Sequence, residues 1–403
     1  MLRIILLLFF IYSVSYSFVP YSIPTSYISL LIVIILFFKN KCKLYIPCKS
    51  VIALSVIFLF ISLVSYTINY PYADLYMVKI SFVYLLMVLF LPAYIKTYYG
   101  SDPYKILRDI GLAGFINSVF IILMLLSSFA QNLYLSWVSI DTFSLIGGAD
   151  AIDGLMRLRM IGITGFSAYS TGFVQVSCAF CYLIYMNARQ AKNIDYIMWG
   201  AILISAMIAA RSSIVGIFIL LIYFLYASKI SIVLRGAIIA VSMGSLISLL
   251  TYNYMPPDLK DFFIQWITEV FTSGTKTGSI QSNIDMYIYG FDDFTLLGDS
   301  RWFGNNNDYY MNTDVGWYRV IFSVGLIGCA IWFLLILFFL IEYVQRNKFI
   351  ELNGVIVISF YIAYIFSIMM KGAILFDSYQ SIIFIIVFYI VLGWKKNNEG
   401  IKA

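Results

Sequence analysis

Apolar stretches long enough to span a bilayer recur along most of this chain, separated by short clusters of charge. SVIALSVIFLFISLVSYTI at 50–68 carries no charged residue, and 314–341 carries only Asp314 and Arg319. Crossing the hydrocarbon core takes roughly 20 residues of helix. In lipid every backbone polar group must be satisfied internally, so repeated stretches of this kind predict a bundle of helices. Charged residues make up only 11% of the 403 residues, where soluble domains carry about 25%. Water is therefore not the solvent for most of this surface.

Runs of suitable length fall at 3–19, 24–38, 50–68, 74–95, 109–129, 162–186, 195–210, 212–228, 236–254, 314–341, 350–370 and 378–394. The expectation is an all-α, polytopic integral membrane bundle of about twelve transmembrane helices, forming one membrane domain over 1–403. Residues 3–19 look like a signal peptide, but no small-residue cleavage site follows, so they count as the first helix. Lys39, Lys41, Lys43, Lys49, Lys96, Lys105, Arg108, Arg189, Lys192, Lys229, Arg235, Arg346, Lys348, Lys395 and Lys396 all fall on one side of this arrangement. Positive charge marks the cytoplasmic side, which puts both termini inside. The same distribution explains the net charge of +6 without a nucleic-acid partner.

Two outer segments exceed simple turns, 130–161 and 255–313. Within the second, Pro257 and Asp258 open a stretch in which Phe262, Phe263, Trp266, Ile267, Val270 and Phe271 recur at helical spacing. This predicts an amphipathic helix over 257–271 lying in the outer membrane interface.

The chain has no histidine, which removes the commonest general base and catalytic metal ligand. No metal and no cofactor is predicted. Cys178 and Cys181 lie within a predicted helix and read as buried small residues. Chemistry is left to carboxylates and arginines. Arg157, Arg159, Arg211, Arg301 and Arg319 map to outer loops or outer helix ends, against the insertion bias; a guanidinium at mid-membrane costs about 2.5–3.5 kcal/mol on insertion scales. Such groups suit bidentate binding of phosphate, although each would also serve as a surface ion pair. Arg211 sits between two apolar runs with almost no loop. Lys79 and Lys371, also near outer ends, read as snorkelling side chains. Asp314 stands at a helix threshold, where a carboxylate serves as N-cap, general base or both. Trp302, Tyr309, Tyr310 and Trp317 are candidate platforms for stacking on sugars.

The order of these features resembles a known family. Arg157-Leu-Arg159 precedes Gly162 and Gly165, Arg211-Ser212 joins two helices, and LLGDSRWFG is followed by TDVGWYRVIFSVGLIG, with Asp314, Gly316, Arg319, Gly325 and Gly328 in place. This resembles the O-antigen polymerase (Wzy) family of bacterial surface-polysaccharide assembly. The resemblance implies a fold similar to O-antigen ligases and the C-type glycosyltransferases. It implies an inverting, metal-independent transfer at the periplasmic face of the bacterial inner membrane, moving an undecaprenyl-diphosphate-linked glycan onto the next lipid-linked repeat unit. Membrane lipids are then partners, and a chain-length regulator protein is an additional one. Asp314 and Arg211 would be catalytic, with Arg157, Arg159, Arg211, Arg301 and Arg319 on the diphosphate. Ligases of this group carry a histidine near the place of Asp314, which this chain lacks; a flippase would show internal repeats and charge at mid-membrane depth. Position 170, where an Arg-x10-Gly spacing from Arg159 would require glycine, is Ser170, so the choice between Arg157 and Arg159 stays open.

Overall fold

The computed structural model describes residues 2–41, 45, 48–139, 160–164, 168–189, 191–228, 284–304, 309–346 and 352–399, with isolated positions between 230 and 281. The described residues are all helical or irregular apart from isolated bridges. In chain order the helices are α1 (Leu2–Ile11), α2 (Thr25–Lys39), α3 (Lys49–Ile68), α4 (Tyr76–Tyr99), α5 (Tyr104–Leu126), α6 (Ser128–Leu135), α7 (Ala168–Ala188), α8 (Asn193–Ala209), α9 (Ser213–Ala227), α10 (Gly316–Arg346), α11 (Leu352–Met369), α12 (Ile374–Asp377) and α13 (Ile382–Glu399). Four of them, α3, α4, α5 and α10, are long and apolar enough to cross a membrane. Shorter apolar helices include Thr25–Lys39, Asn193–Ala209 and Ser213–Ala227. The predicted amphipathic helix over 257–271 lies outside the described residues.

The apolar helices tolerate polar residues by satisfying them locally. In α3 the hydroxyls of Ser55 and Ser62 donate to the carbonyls of Val51 and Phe58 one turn back, at 2.7 and 2.9 Å. Short caps close other ends: Ser127 Oγ accepts from the Ala130 N–H at 3.3 Å to start α6. Asp195 accepts from the Lys192 N–H at 2.7 Å at the positive end of α8.

Among the described residues several predicted spans are not single helices; 109–129 is interrupted at Ser127 and 314–341 at Gly325. The run over 3–19 is helical only to Ile11. Beyond it the Ser139 N–H donates to the Ser15 carbonyl and the Ser17 N–H to the Trp137 carbonyl, at 2.8 and 2.9 Å. Pairing with 137–139 thus replaces the helix ladder. In the run over 162–186, residues 162–164 are not helical, and α7 runs from Ala168. The stretch before it is tied elsewhere, since the Ile163 N–H donates to Asn117 Oδ1 at 2.7 Å and the Tyr134 hydroxyl to the Ile163 carbonyl.

The chain packs as two compact units, Met1–Tyr27 with Asp109–Ile288, and Ile28–Arg108 with Tyr289–Ala403. In the first, α7 packs against α8 and α9 and is buried almost all round between Ser170 and Met186. At its centre the Gln175 carbonyl accepts from the Tyr12 hydroxyl. Its amide nitrogen reaches Ser205 Oγ at 2.6 Å, Ser118 Oγ at 3.1 Å and the Gly114 carbonyl at 3.3 Å. An uncharged polar knot therefore fastens α1, α5, α7 and α8, with Cys178 and Cys181 as buried free thiols beside it. In the second unit α10 packs along α3, α11 and α13, and α4 packs against α3 and α13.

Candidate functional site

The site in the second unit begins with a break in α10. Gly325 has φ 71° and ψ −178°, a backbone region essentially closed to residues with a side chain. The break lies about 13 Å along the helix at 1.5 Å per residue, and it would orphan backbone groups in an apolar bundle. The segment 295–300 fills the gap. The Asp299 and Ser300 N–H groups donate to the carbonyls of Phe322 and Ser323, at 2.6 and 3.1 Å. The Leu326 and Ile327 N–H groups donate to the carbonyls of Thr295 and Leu296, at 3.1 and 3.2 Å. Gly298, also at positive φ, passes so close that a β-carbon on it would lie 2.7 Å from the Val324 nitrogen. The two glycines that carried the family resemblance thus meet at one crossing of backbones.

Asp74, in the turn before α4, fixes the next stretch. Its Oδ2 accepts from the N–H groups of Trp302 and Phe303 at 2.6 and 3.2 Å, and its Oδ1 from the Tyr76 N–H at 3.0 Å. The Tyr76 ring stacks on Trp302, 5.1 Å between centroids, and Phe376 lies 5.7 Å away. Trp302 is 1% exposed. This differs from the expected sugar platform, because the indole faces are covered within the protein.

Arg319, in the first turn of α10, lies against the same indole. Its guanidinium carbon is 4.0 Å from the Trp302 ring centroid and 3.8 Å from that of Tyr309. Nη1 donates to Asp377 Oδ2 at 2.8 Å. The cation is thus engaged on both flat faces and one edge, with its side chain 1% exposed. That placement departs from the expected diphosphate contact. Stacking of a desolvated guanidinium contributes about 2 kcal/mol, and removing one partner of a buried pair costs about 3–5 kcal/mol.

The remaining residues line the partly exposed side of this core. Arg301 is half-buried with its guanidinium 4.8 Å over the Tyr310 ring, while the Tyr310 hydroxyl donates to Asp299 Oδ2 at 3.1 Å. Asp314 is half-buried between the short turn Tyr310–Asn312 and the start of α10. The neighbouring Thr313 Oγ1 accepts from the Val315 N–H at 3.2 Å. Burial, then the charge of Asp377, raises the ionisation of the Tyr309 phenol above its ordinary range; Asp314 acts in the same direction and Arg319 against it. Tyr310 is raised as well, by burial and by Asp299. Both phenols are therefore neutral hydroxyls at physiological pH. Trp317 is half-buried and packs within the helices, 5.7 Å from Trp332 and 5.5 Å from Phe366.

Arg211 belongs to the first unit. Ala210 is extended after α8, and Arg211 and Ser212 form the whole turn into α9. The Ser213 hydroxyl donates to the Ala206 carbonyl at 2.8 Å, so the turn is pinned and the half-buried Arg211 is held at its tip. Arg157 and Arg159 lie outside the described residues. Asp377 and Asp74 were not singled out in the sequence; an acid just before a run that begins with polar Ser378 and Gln380 was the available signal for the first. The second unit thus offers a partly buried carboxylate, a partly buried arginine and two neutral phenols over a buried ion pair. No family model, curated protein or solved structure matches the chain.

Proposed function

We propose that this chain polymerises undecaprenyl-diphosphate-linked repeat units into a bacterial surface polysaccharide, as a metal-independent inverting glycosyltransferase. The observation that carries the reading is Asp314: a partly buried carboxylate, its Oδ1 out of contact with solvent, at the threshold of an apolar helix, in a chain without histidine, beside phenols that stay neutral. A carboxylate so placed would take the proton from the acceptor sugar's hydroxyl as that oxygen attacks the anomeric carbon. The diphosphate leaves with its carrier, and arginines would stabilise the charge developing on it. Arg301 fits that role by its partial exposure in the same unit as this carboxylate; Arg157, Arg159 and Arg211 are assigned to it from the sequence. In this reading the helices complete a topology of about twelve spans, with both termini cytoplasmic and Asp314 at the periplasmic face.

Deleting the gene tests the class. Loss of a polymerase leaves surface lipid carrying one repeat unit, whereas loss of a ligase leaves none and strands long glycan on the carrier. Long chains that persist in the deletion strain overturn the proposal. Complementation with Arg211→Ala or Asp314→Ala should give no chain extension at unchanged protein level. Arg211→Lys should fail as well if the contact is bidentate. Normal glycan ladders from both alanine variants would remove these two residues from the mechanism.

A further inference from the structure

The charge partner of Arg319 sits in an interruption between two helices. After α11, the chain turns through the four-residue α12 and the turn Tyr379–Ser381 before α13 begins. The Tyr76 hydroxyl donates to the Phe376 carbonyl at 3.1 Å, and the Tyr84 hydroxyl to the Leu375 carbonyl. These bonds hold the interruption in place from α4, so Asp377 is presented on a fixed backbone. Its carboxylate, 17% exposed, meets a guanidinium that is 1% exposed. Arg319 is in turn clasped by Trp302, which Asp74 anchors, and by Tyr309. Phe303 and Tyr309 are themselves bridged backbone to backbone. One cation therefore joins three separate pieces of chain: the segment around 302–309, the first turn of α10, and α12.

We propose that Asp377 is a positioning residue for the reaction: by neutralising Arg319 it keeps the guanidinium between the two rings, and so fixes Tyr309 and the adjoining Asp314. The inference rests on the reading of Asp314 as the base. The physical reason is desolvation. A guanidinium this deeply buried without a counter-charge is strongly disfavoured, and its long stem lets it swing toward water. Tyr309 would then lose the face it packs on, and Asp314, whose charge bears on the Tyr309 phenol, would lose that fixed neighbour. Asparagine at 377 keeps the shape and one acceptor but not the charge. Glutamate keeps the charge on a longer arm.

The test uses the full-length protein in lipid nanodiscs, with two independent readouts. Amide hydrogen exchange over 299–315 reports the geometry, and extension of a lipid-linked repeat unit reports the reaction. Asp377→Asn should speed exchange in that segment by at least about tenfold, leaving α3 unchanged. It should also lower kcat by at least about tenfold with KM for the lipid-linked substrate unchanged. Asp377→Glu should recover most of both. Unchanged exchange in Asp377→Asn overturns the proposal, as does faster exchange with wild-type kcat. Should Asp377→Asn fail to accumulate, the double change Arg319→Met, Asp377→Leu replaces the pair by apolar groups of similar size, a swap that buried pairs commonly tolerate. Wild-type extension by that protein would overturn the assignment, and loss of extension with retained fold would support it. If deletion of the gene leaves glycans unaltered, the polymerase reading falls; the exchange data then decide separately whether Asp377 holds the segment.

Discussion

Replacing Gly325 by alanine probes the break in α10 directly. Alanine at φ 71° and ψ −178° adopts a conformation that costs about 1–3 kcal/mol. Its β-carbon would fall on the Leu296 carbonyl oxygen and 2.5 Å from the Gly298 nitrogen. Those neighbours are backbone; the Leu296 carbonyl accepts from the Ile327 N–H, and its displacement would drag the adjoining Thr295 carbonyl from the Leu326 N–H. Two such bonds contribute about 1 kcal/mol each. Strain and lost bonds together come to about 4 kcal/mol, a large part of the roughly 5–15 kcal/mol that holds a typical domain. Thermal unfolding in nanodiscs should shift down by on the order of 10 °C, with faster amide exchange at 295–300. Gly290→Ala is the control, since its β-carbon would meet nothing nearer than 3.8 Å and should leave the transition where it is. An unchanged transition and unchanged exchange in Gly325→Ala would refute the account of a loop seated in a helix break.

Two further outcomes follow from satisfied polar groups. Asp74→Ala releases the amides of Trp302, Phe303 and Tyr76; at about 1.5–3 kcal/mol for hydrogen bonds to a charged group, exchange at Trp302 and Phe303 should rise by at least about tenfold, and Asp74→Asn should do less harm. Gln175→Leu fills the space but leaves the Tyr12 hydroxyl in the first unit with the weak partner Cys178 Sγ at 3.4 Å in place of the amide, costing about 1–3 kcal/mol, while Gln175→Ala adds a cavity. A Gln175→Ala protein that melts above Gln175→Leu would contradict this order.

Much of the helical order was legible because hydrophobicity alone sets it. The runs at 50–68, 195–210 and 212–228 correspond to Lys49–Ile68, Asn193–Ala209 and Ser213–Ala227, and Arg211 lies in the tight turn that its flanking runs require. What escaped was long-range. Asp74 meets Trp302 across 228 positions, and Arg319 meets Asp377 across 58. A composition pattern carries no information about which charges pair over such separations. Hence Arg319 read as a ligand-binding cation, whereas its surroundings spend it inside the protein. The glycines of 298 and 325 stood out in the motif, yet only their mutual approach explains them. The first run failed for the same long-range reason: the backbone after Ile11 found partners at 137–139, about 120 positions away, that competed with the helix.

The seated segment at 295–300 also constrains how the molecule is made. The carbonyls of Phe322 and Ser323 are capped by residues that precede α10 in the chain, and Ser323 is additionally reached by Ser65 from α3 at 3.1 Å. Both α3 and the segment 295–300 precede α10 in the chain, so the break can be filled only once α10 itself has been made. Until 295–300 folds back, α10 enters with bare peptide groups partway along its length. Seating of that segment is therefore a tertiary step that helix formation alone does not complete.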